Sequence, residues 1–245
     1  MRGHAAALCV LLGLSALACR STPPVALERA VLQRQALLFA PSGVLPNAAV
    51  PLLCVGFEGN CLDALPLDAA LSSEGASIPI LGKVELSAWS GRCEGANEAV
   101  ELLEAPTDWL LWPADAGPIL KAPGQPSTRP DDERAISLAL SAQSVVIPPV
   151  RLLGQLDLGG DSTEERVYLV GEPDAAVAVA AVRSDGVALF ASRGGVLRFD
   201  GFVDLDGDGR YALLLSERSE KAWSFDVLRM SEGKLLTEAS WACSL

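Results

Sequence analysis

Along the second half of the chain, apolar residues come in short runs closed off by turn residues. Arg166–Val170 is followed by Glu172-Pro173-Asp174, and Ala175–Val182 by Ser184-Asp185-Gly186 and then Val187–Ala191. Runs of this length with hairpin punctuation predict antiparallel strands. Trp223, Phe225 and Val227 alternate with Ser224 and Asp226, which puts the large apolar side chains on one face of a strand. Ser231-Glu232-Gly233 then turns the chain into Lys234–Trp241. Ile136, Leu138 and Leu140 alternate with Ser137, Ala139 and Ser141, which predicts a half-buried strand, and Ser144–Ile147 continues in the same style. Residues 136–245 therefore read as an antiparallel β meander whose buried face supplies most of its core energy.

The first half is less regular. Val50–Phe57, Lys83–Trp89, Val100–Leu103 and Trp109–Trp112 are apolar runs of strand length, and Ala26–Leu38 could open as a short helix or a strand. Pro66–Leu71 holds better helix formers, with a proline suited to a first turn, and predicts one short helix. Residues 26–113 thus read as a small α+β or β domain. Pro113, Pro118, Pro123, Pro126 and Pro130, followed by Asp131-Asp132-Glu133-Arg134, mark 114–135 as a Pro-rich linker or long loop. The fold class expected for the whole chain is mainly β.

Composition narrows the chemistry. The 245 residues are 50% hydrophobic, too apolar for a disordered chain. The net charge of −12 repels phosphate backbones and argues against nucleic acid as a partner. The one histidine, His4, falls in the segment 1–18, which reads as a removable signal peptide: a basic start, Met1-Arg2-Gly3-His4, then the uncharged run Ala5–Ala18, too short to span a bilayer. Without His4 the chain has no Ser-His-Asp or Cys-His machinery and no His-ligated zinc. Leu14-Ser15-Ala16-Leu17-Ala18-Cys19 resembles the lipobox of bacterial lipoproteins. That resemblance implies cleavage after Ala18, a diacylglycerol on Cys19 and a membrane tether over 19–25. Arg20 stands where aspartate would retain a lipoprotein at the inner membrane, so the resemblance points to the outer membrane. The apolar stretch Ala36–Phe57 is interrupted by Pro41, Gly43, Pro46, Asn47 and Pro51 and offers no span.

Of the six cysteines, Cys9 leaves with the signal and Cys19 takes lipid. The remaining Cys54, Cys61, Cys93 and Cys243 are an even set in an exported chain and read as disulfides formed in an oxidising compartment. Three pairings exist, of which Cys54–Cys61 closes the shortest loop and leaves Cys93 for Cys243. Gly91-Arg92-Cys93-Glu94-Gly95 has the spacing of a nucleophile elbow with cysteine for serine, but no histidine is left to serve as base. Four-thiolate zinc needs two close pairs, and only Cys54 and Cys61 are near each other.

The most specific stretch is Asp204-Leu205-Asp206-Gly207-Asp208-Gly209-Arg210. Carboxylates at loop positions 1, 3 and 5, a glycine at 6 and a carbonyl at 7, here that of Arg210, converge as hard oxygen ligands that suit Ca²⁺. An EF-hand would need glutamate at position 12, where Leu215 stands, and the incoming Val196-Leu197-Arg198-Phe199 has strand character. The stretch resembles instead the FG-GAP/VCBS repeats of integrin-type β-propellers, in which Asp-x-Asp-x-Asp-Gly joins two strands and binds calcium. Those repeats usually carry an acid at position 9, which is Ala212 here; Glu217, farther on, is a candidate to compensate. Gly154-Gln155-Leu156-Asp157-Leu158 echoes Gly201-Phe202-Val203-Asp204-Leu205 at an offset of 47 residues, a propeller-blade period. In that earlier copy Asp157, Asp161 and Glu165 hold positions 1, 5 and 9, while Gly159 and Ser162 replace the position-3 ligand and the turn glycine. Both loops are thus expected calcium sites. Two repeats cannot close a propeller, so the expected architecture is blade-like without a ring.

Address and loops together predict a lipid-anchored envelope protein with a calcium-stabilised β domain, a binding or structural module for a protein or glycan partner. The alternative is an envelope hydrolase using paired carboxylates. The Ser231-x-x-Lys234 spacing falls in an expected turn and carries no catalytic weight.

Overall fold

The computed structural model describes residues 35–66, 68–73, 76–89, 91–122, 128–141 and 148–244. The expected signal peptide, Cys19, its tether and Ser144–Ile147 lie outside the described residues. The architecture is mainly β, built from antiparallel sheets with one α-helix among the described residues. The described residues form no propeller.

Residues 36–112 supply a closed barrel. Its members are β1 (Ala36–Pro41), β2 (Ala48–Val55), β3 (Ala70–Ser73), β4 (Ala76–Glu85), β6 (Glu98–Leu102) and β7 (Leu110–Trp112), in the order β1-β2-β6-β4-β3-β7. A two-residue strand, β5 (Cys93–Glu94), leaves the ring for another sheet. The apolar run Ala36–Ala40 is completely buried. Leu37 and Phe39 point into the barrel with Leu71, Val100, Leu102 and Leu110, while Ala36, Leu38 and Ala40 face the neighbouring sheet. A strand covered on both faces has no need of polar alternation, and this one reads as a continuous hydrophobic run.

Two local expectations fail here. Pro66–Leu71 is not a helix: Ala70 and Leu71 open β3, pairing with Pro79 and Ile78 of β4. The nearby helical turn falls earlier, at Cys61–Ala64, where the Asn60 side chain accepts from Leu62 N. The strand expected over Lys83–Trp89 ends at Glu85, and Ser87–Trp89 is a single 3-10 turn.

The segment 114–135 is only partly a loop. Leu120 makes a two-way backbone bridge to Phe202, N to O at 2.8 Å in each direction. Its far end begins α1 (Pro130–Ser141), and Ile136–Leu140, expected as a strand, belongs to this helix. Proline at the first position and Asp131, Asp132 and Glu133 in the first turn are helix-start signals that the alternation masked. Ile136 and Leu140, four apart, are buried, whereas Leu138 is 66% exposed.

The chain continues as two meanders. β8 (Val150–Leu156), β9 (Glu165–Val170), β10 (Ala178–Val182) and β11 (Val187–Ala191) form a four-stranded sheet in chain order. β12 (Val196–Val203), β13 (Ala212–Arg218), β14 (Ala222–Ser231) and β15 (Lys234–Ser244) form the next, extended by β5 to five strands. The repeat read from sequence is structural: the register shifts between Leu152 and Gly154 in one copy and between Phe199 and Gly201 in the other, the same place at the same offset.

Packing is layered. Tyr168, Val170, Ala178 and Ala180 meet Ile136 and Leu140 of α1. From the opposite face Val167, Leu169, Val179 and Ala181 meet Leu213, Leu215, Leu228 and Met230. Leu214, Val227 and Trp241 turn away from these toward Leu38, Val50 and Trp109 on the barrel side. Gln33–Leu245 is accordingly one compact unit whose core runs through both expected domains. The disulfides are Cys54–Cys61, within the barrel segment, and Cys93–Cys243, which ties β5 to β15. Two such bonds fit an extracytoplasmic, oxidising compartment. Among the described residues no helix is long and apolar enough to cross a membrane.

Candidate metal centre

Both acidic loops are the first hairpin connection of their sheets, β8–β9 and β12–β13. Each is folded by its own aspartates, in the same way. Asp204 accepts from Gly207 N through Oδ1 (2.8 Å) and from Gly209 N through Oδ2 (3.0 Å), and Asp208 Oδ1 accepts from Arg210 N at 2.8 Å. Forty-seven residues earlier, Asp157 accepts from Gly160 N (2.6 Å) and Ser162 N (2.7 Å), and Asp161 Oδ1 from Thr163 N at 2.9 Å. Leu205 and Leu158 are fully buried and anchor the two turns. Gly207 and Gly160 hold φ of +72° and +75°. Ser162 takes φ +63° where the later copy has Gly209 at +87°, so the earlier loop keeps its shape at a backbone cost. The loops also touch. Tyr211 N donates to Asp157 O at 2.9 Å, and the Arg210 side chain lies over Gly160, where an added Cβ would sit 2.8 Å from Arg210 Cδ.

The two then diverge. Asp204, Asp206 and Asp208 each offer one oxygen, and these lie within 4.8 Å of one another; they are the acidic group among the described residues able to hold a metal ion. Two unit charges at about 4 Å repel by about 1 kcal/mol in water and about 4 kcal/mol near a protein surface, which a bound cation would reverse. Asp206 Oδ1 is buried and has no hydrogen-bond partner. Its other oxygen lies 3.6 Å from Arg229 Nη1, but Arg229 is more closely engaged by Glu238, at 2.6 Å.

In the earlier loop Arg183, from the end of the sheet's third strand, reaches the acids. Its Nη2 lies 2.8 Å from Asp161 Oδ2, its Nη1 3.2 Å from Glu165 Oε1 and its Nε 3.3 Å from Asp185 Oδ1. The guanidinium hydrogen bond holds the Asp161 carboxyl below the usual range. Burial pushes Glu165 the other way, against the Leu158 N–H that donates to it at 2.7 Å. Arg183 escaped the sequence reading, although the offset of 47 sets it opposite Met230 and so flags a new charge in one copy only.

Glu217 does not compensate for Ala212. It sits toward the far end of β13 and holds the β11–β12 turn, accepting from Ser192 Oγ (2.8 Å), Arg193 N (3.1 Å) and Gly195 N (2.6 Å). Cys93 is sealed in its disulfide and is no nucleophile. Ser231 and Lys234 are the paired ends of the β14–β15 hairpin, with Glu232 and Gly233 at φ +49° and +71° between them. A cleft of about 460 Å³ lined by Ser72, Asp108, Trp109, Asp115 and Lys121 adjoins the later loop, since Gly117 on its wall lies against the Asp204 carbonyl. The chain matches no protein-family model, no curated protein and no solved structure.

Proposed function

We propose that the chain is a bacterial cell-envelope lipoprotein, anchored through Cys19 and carried to the outer membrane, whose β domain is a binding or structural module stapled by one Ca²⁺. Asp204, Asp206 and Asp208 hold the ion with the Arg210 carbonyl, and the ion fixes the β12–β13 register. The observation that carries this reading is the Asp204/Asp206/Asp208 cluster, one of whose members, Asp206, has a buried oxygen without a hydrogen-bond partner. Hard carboxylate oxygens on a flexible loop suit Ca²⁺ better than Mg²⁺, which demands stricter geometry. The cleft beside the loop is the face on which a protein or glycan partner would seat.

Thermal unfolding with calcium and with chelator tests the metal. Loops of extracellular modules hold Ca²⁺ with Kd of about 10⁻⁴ to 10⁻³ M, so about 5 mM calcium should add about 1–2 kcal/mol. That raises Tm by about 2–8 °C for a chain of this size. The shift should vanish in Asp206→Ala, and its absence in the parent would end the calcium reading. Cys19→Ser should release the protein from membranes; retention would remove the anchor.

A further inference from the structure

We infer that Arg183 is the resident cation of the earlier acidic loop: its guanidinium occupies the place of the divalent ion that the later loop is built to take. The chain then carries one metal site and one permanently neutralised copy of it. The inference rests on the calcium reading only for the later loop and stands without it for the earlier one.

Three independent observations place the guanidinium at the loop's centre. Its nitrogens reach the acids at positions 5 and 9, Asp161 at 2.8 Å and Glu165 at 3.2 Å. Glu165 is fully buried, and its Oε1, without a hydrogen-bond partner, has the Arg183 guanidinium beside it. Gly159 is the position-3 residue, where the later loop has Asp206. A Cβ built there lies 3.7 Å from Arg183 Nη1, 3.9 Å from Asp157 Oδ1 and 3.9 Å from the Asp161 carboxyl carbon. A side chain projecting from position 3 would therefore meet the arginine first, at van der Waals distance. The loss of that ligand and the gain of the cation are two halves of one change, because an arginine among three carboxylates and a divalent ion would repel each other. In the later copy the residue matching Arg183 is Met230, buried in the apolar core between the sheets. The neighbouring Arg229 comes no nearer to that loop than 3.6 Å from Asp206 Oδ2 and is held by Glu238 at 2.6 Å. The near-identical hydrogen bonding of both loops shows that the turn folds on its own aspartates and backbone whether or not an arginine fills it.

The test counts calcium per chain by equilibrium dialysis against millimolar calcium, in the Asp206→Ala background so that the later loop is silent. Asp206→Ala alone should bind none. Asp206→Ala with Arg183→Met should bind one per chain and gain a calcium-dependent rise in Tm, both lost on adding Glu165→Gln. Arg183→Lys, which keeps a cation, should bind none. A folded Arg183→Met form that takes up no calcium would overturn the inference. So would a calcium bound by Asp206→Ala alone and lost with Asp161→Asn. Should Arg183→Met not fold, the second comparison decides: a melting temperature of Asp206→Ala unmoved by calcium supports Arg183 as the cation, and a shift that Asp161→Asn removes refutes it. The parent's own count separately decides the later loop, one per chain supporting it and none removing it.

Discussion

Removing Asp132 should undock α1 from its sheet. The Asp132 side chain is only 6% exposed. It accepts from Arg166 Nε at 2.6 Å and Nη2 at 2.8 Å, and from Tyr168 Oη at 2.5 Å. In Asp132→Ala the Arg166 side chain, 22% exposed, loses its bidentate partner, and the buried Tyr168 hydroxyl loses its acceptor. Breaking a buried pair costs about 3–5 kcal/mol. The residual access of water to Arg166 favours the lower part of that range, so about 3–4 kcal/mol is expected. Set against a total of about 5–15 kcal/mol, this is a large share. Tyr168→Phe removes one bond to a charged group and should cost about 1.5–2 kcal/mol. The double variant should cost less than the sum, because both act through the same carboxylate.

The assay is urea unfolding followed by tryptophan fluorescence, with disulfides intact and calcium constant. The pH dependence supplies a second check. The Arg166 hydrogen bonds outweigh burial and hold the Asp132 carboxyl below its usual range. A depressed folded value means that the unfolded chain takes up the proton first as pH falls. The stability difference between parent and Asp132→Asn should then be constant above about pH 5 and shrink as pH falls through the ordinary carboxylate range and the lowered folded value. A loss below 1 kcal/mol in Asp132→Ala would refute the network as the anchor of α1, and a pH-independent difference would refute its ionic character.

Three further outcomes follow from the packing. Cys93–Cys243 spans 150 residues and Cys54–Cys61 spans 7, so on chain entropy Cys93→Ala/Cys243→Ala should cost about 5 kcal/mol and Cys54→Ala/Cys61→Ala about 2 kcal/mol in urea unfolding; equal costs would contradict that ordering. Trp109 Nε1 donates to buried Asp200 at 2.9 Å, and Trp109→Phe should cost about 1.5–3 kcal/mol. Burial raises Asp200 despite that bond, so its contribution is greatest at low pH and falls as pH rises through the folded value; Trp109→Phe should move that fall to higher pH, read by the Asp200 carboxyl resonance. Gly95→Ala would place a Cβ 2.1 Å from the Ser240 carbonyl oxygen at φ +113°, and should cost more than about 2 kcal/mol in the same unfolding assay.

What could be read in advance follows the range of the interactions. The hairpins of the second half were legible because turn residues and short apolar runs are local signals. The later acidic loop was legible because its aspartates lie within a few residues of each other, and the repeat because its two copies keep one offset. Ile136–Leu140 was misread because serines and alanines between apolar residues satisfy a strand period, while the buried pair Ile136 and Leu140 satisfies a helical one. The packing decides between them: Ile136 and Leu140 are buried and Leu138 is exposed, and Asp132 ties the helix to Arg166 and Tyr168 of β9. The short helix expected at Pro66–Leu71 failed for a similar reason, since pairing of Ala70 and Leu71 with β4 outweighs local propensity.

By itself the sequence determined a mainly β chain with a tandem repeat, an even set of four cysteines beyond Cys19 and a dense carboxylate turn, since each of these is written in neighbouring residues or in one constant spacing. The tertiary structure alone decided that β1 closes a barrel with β7, that β5 crosses to β15, and that one core passes through both halves. It alone decided which acidic loop receives an arginine at hydrogen-bond distance. Arg183 is 22 residues beyond Asp161 in the chain and 2.8 Å from it in space, and a Coulomb interaction depends on the second distance only.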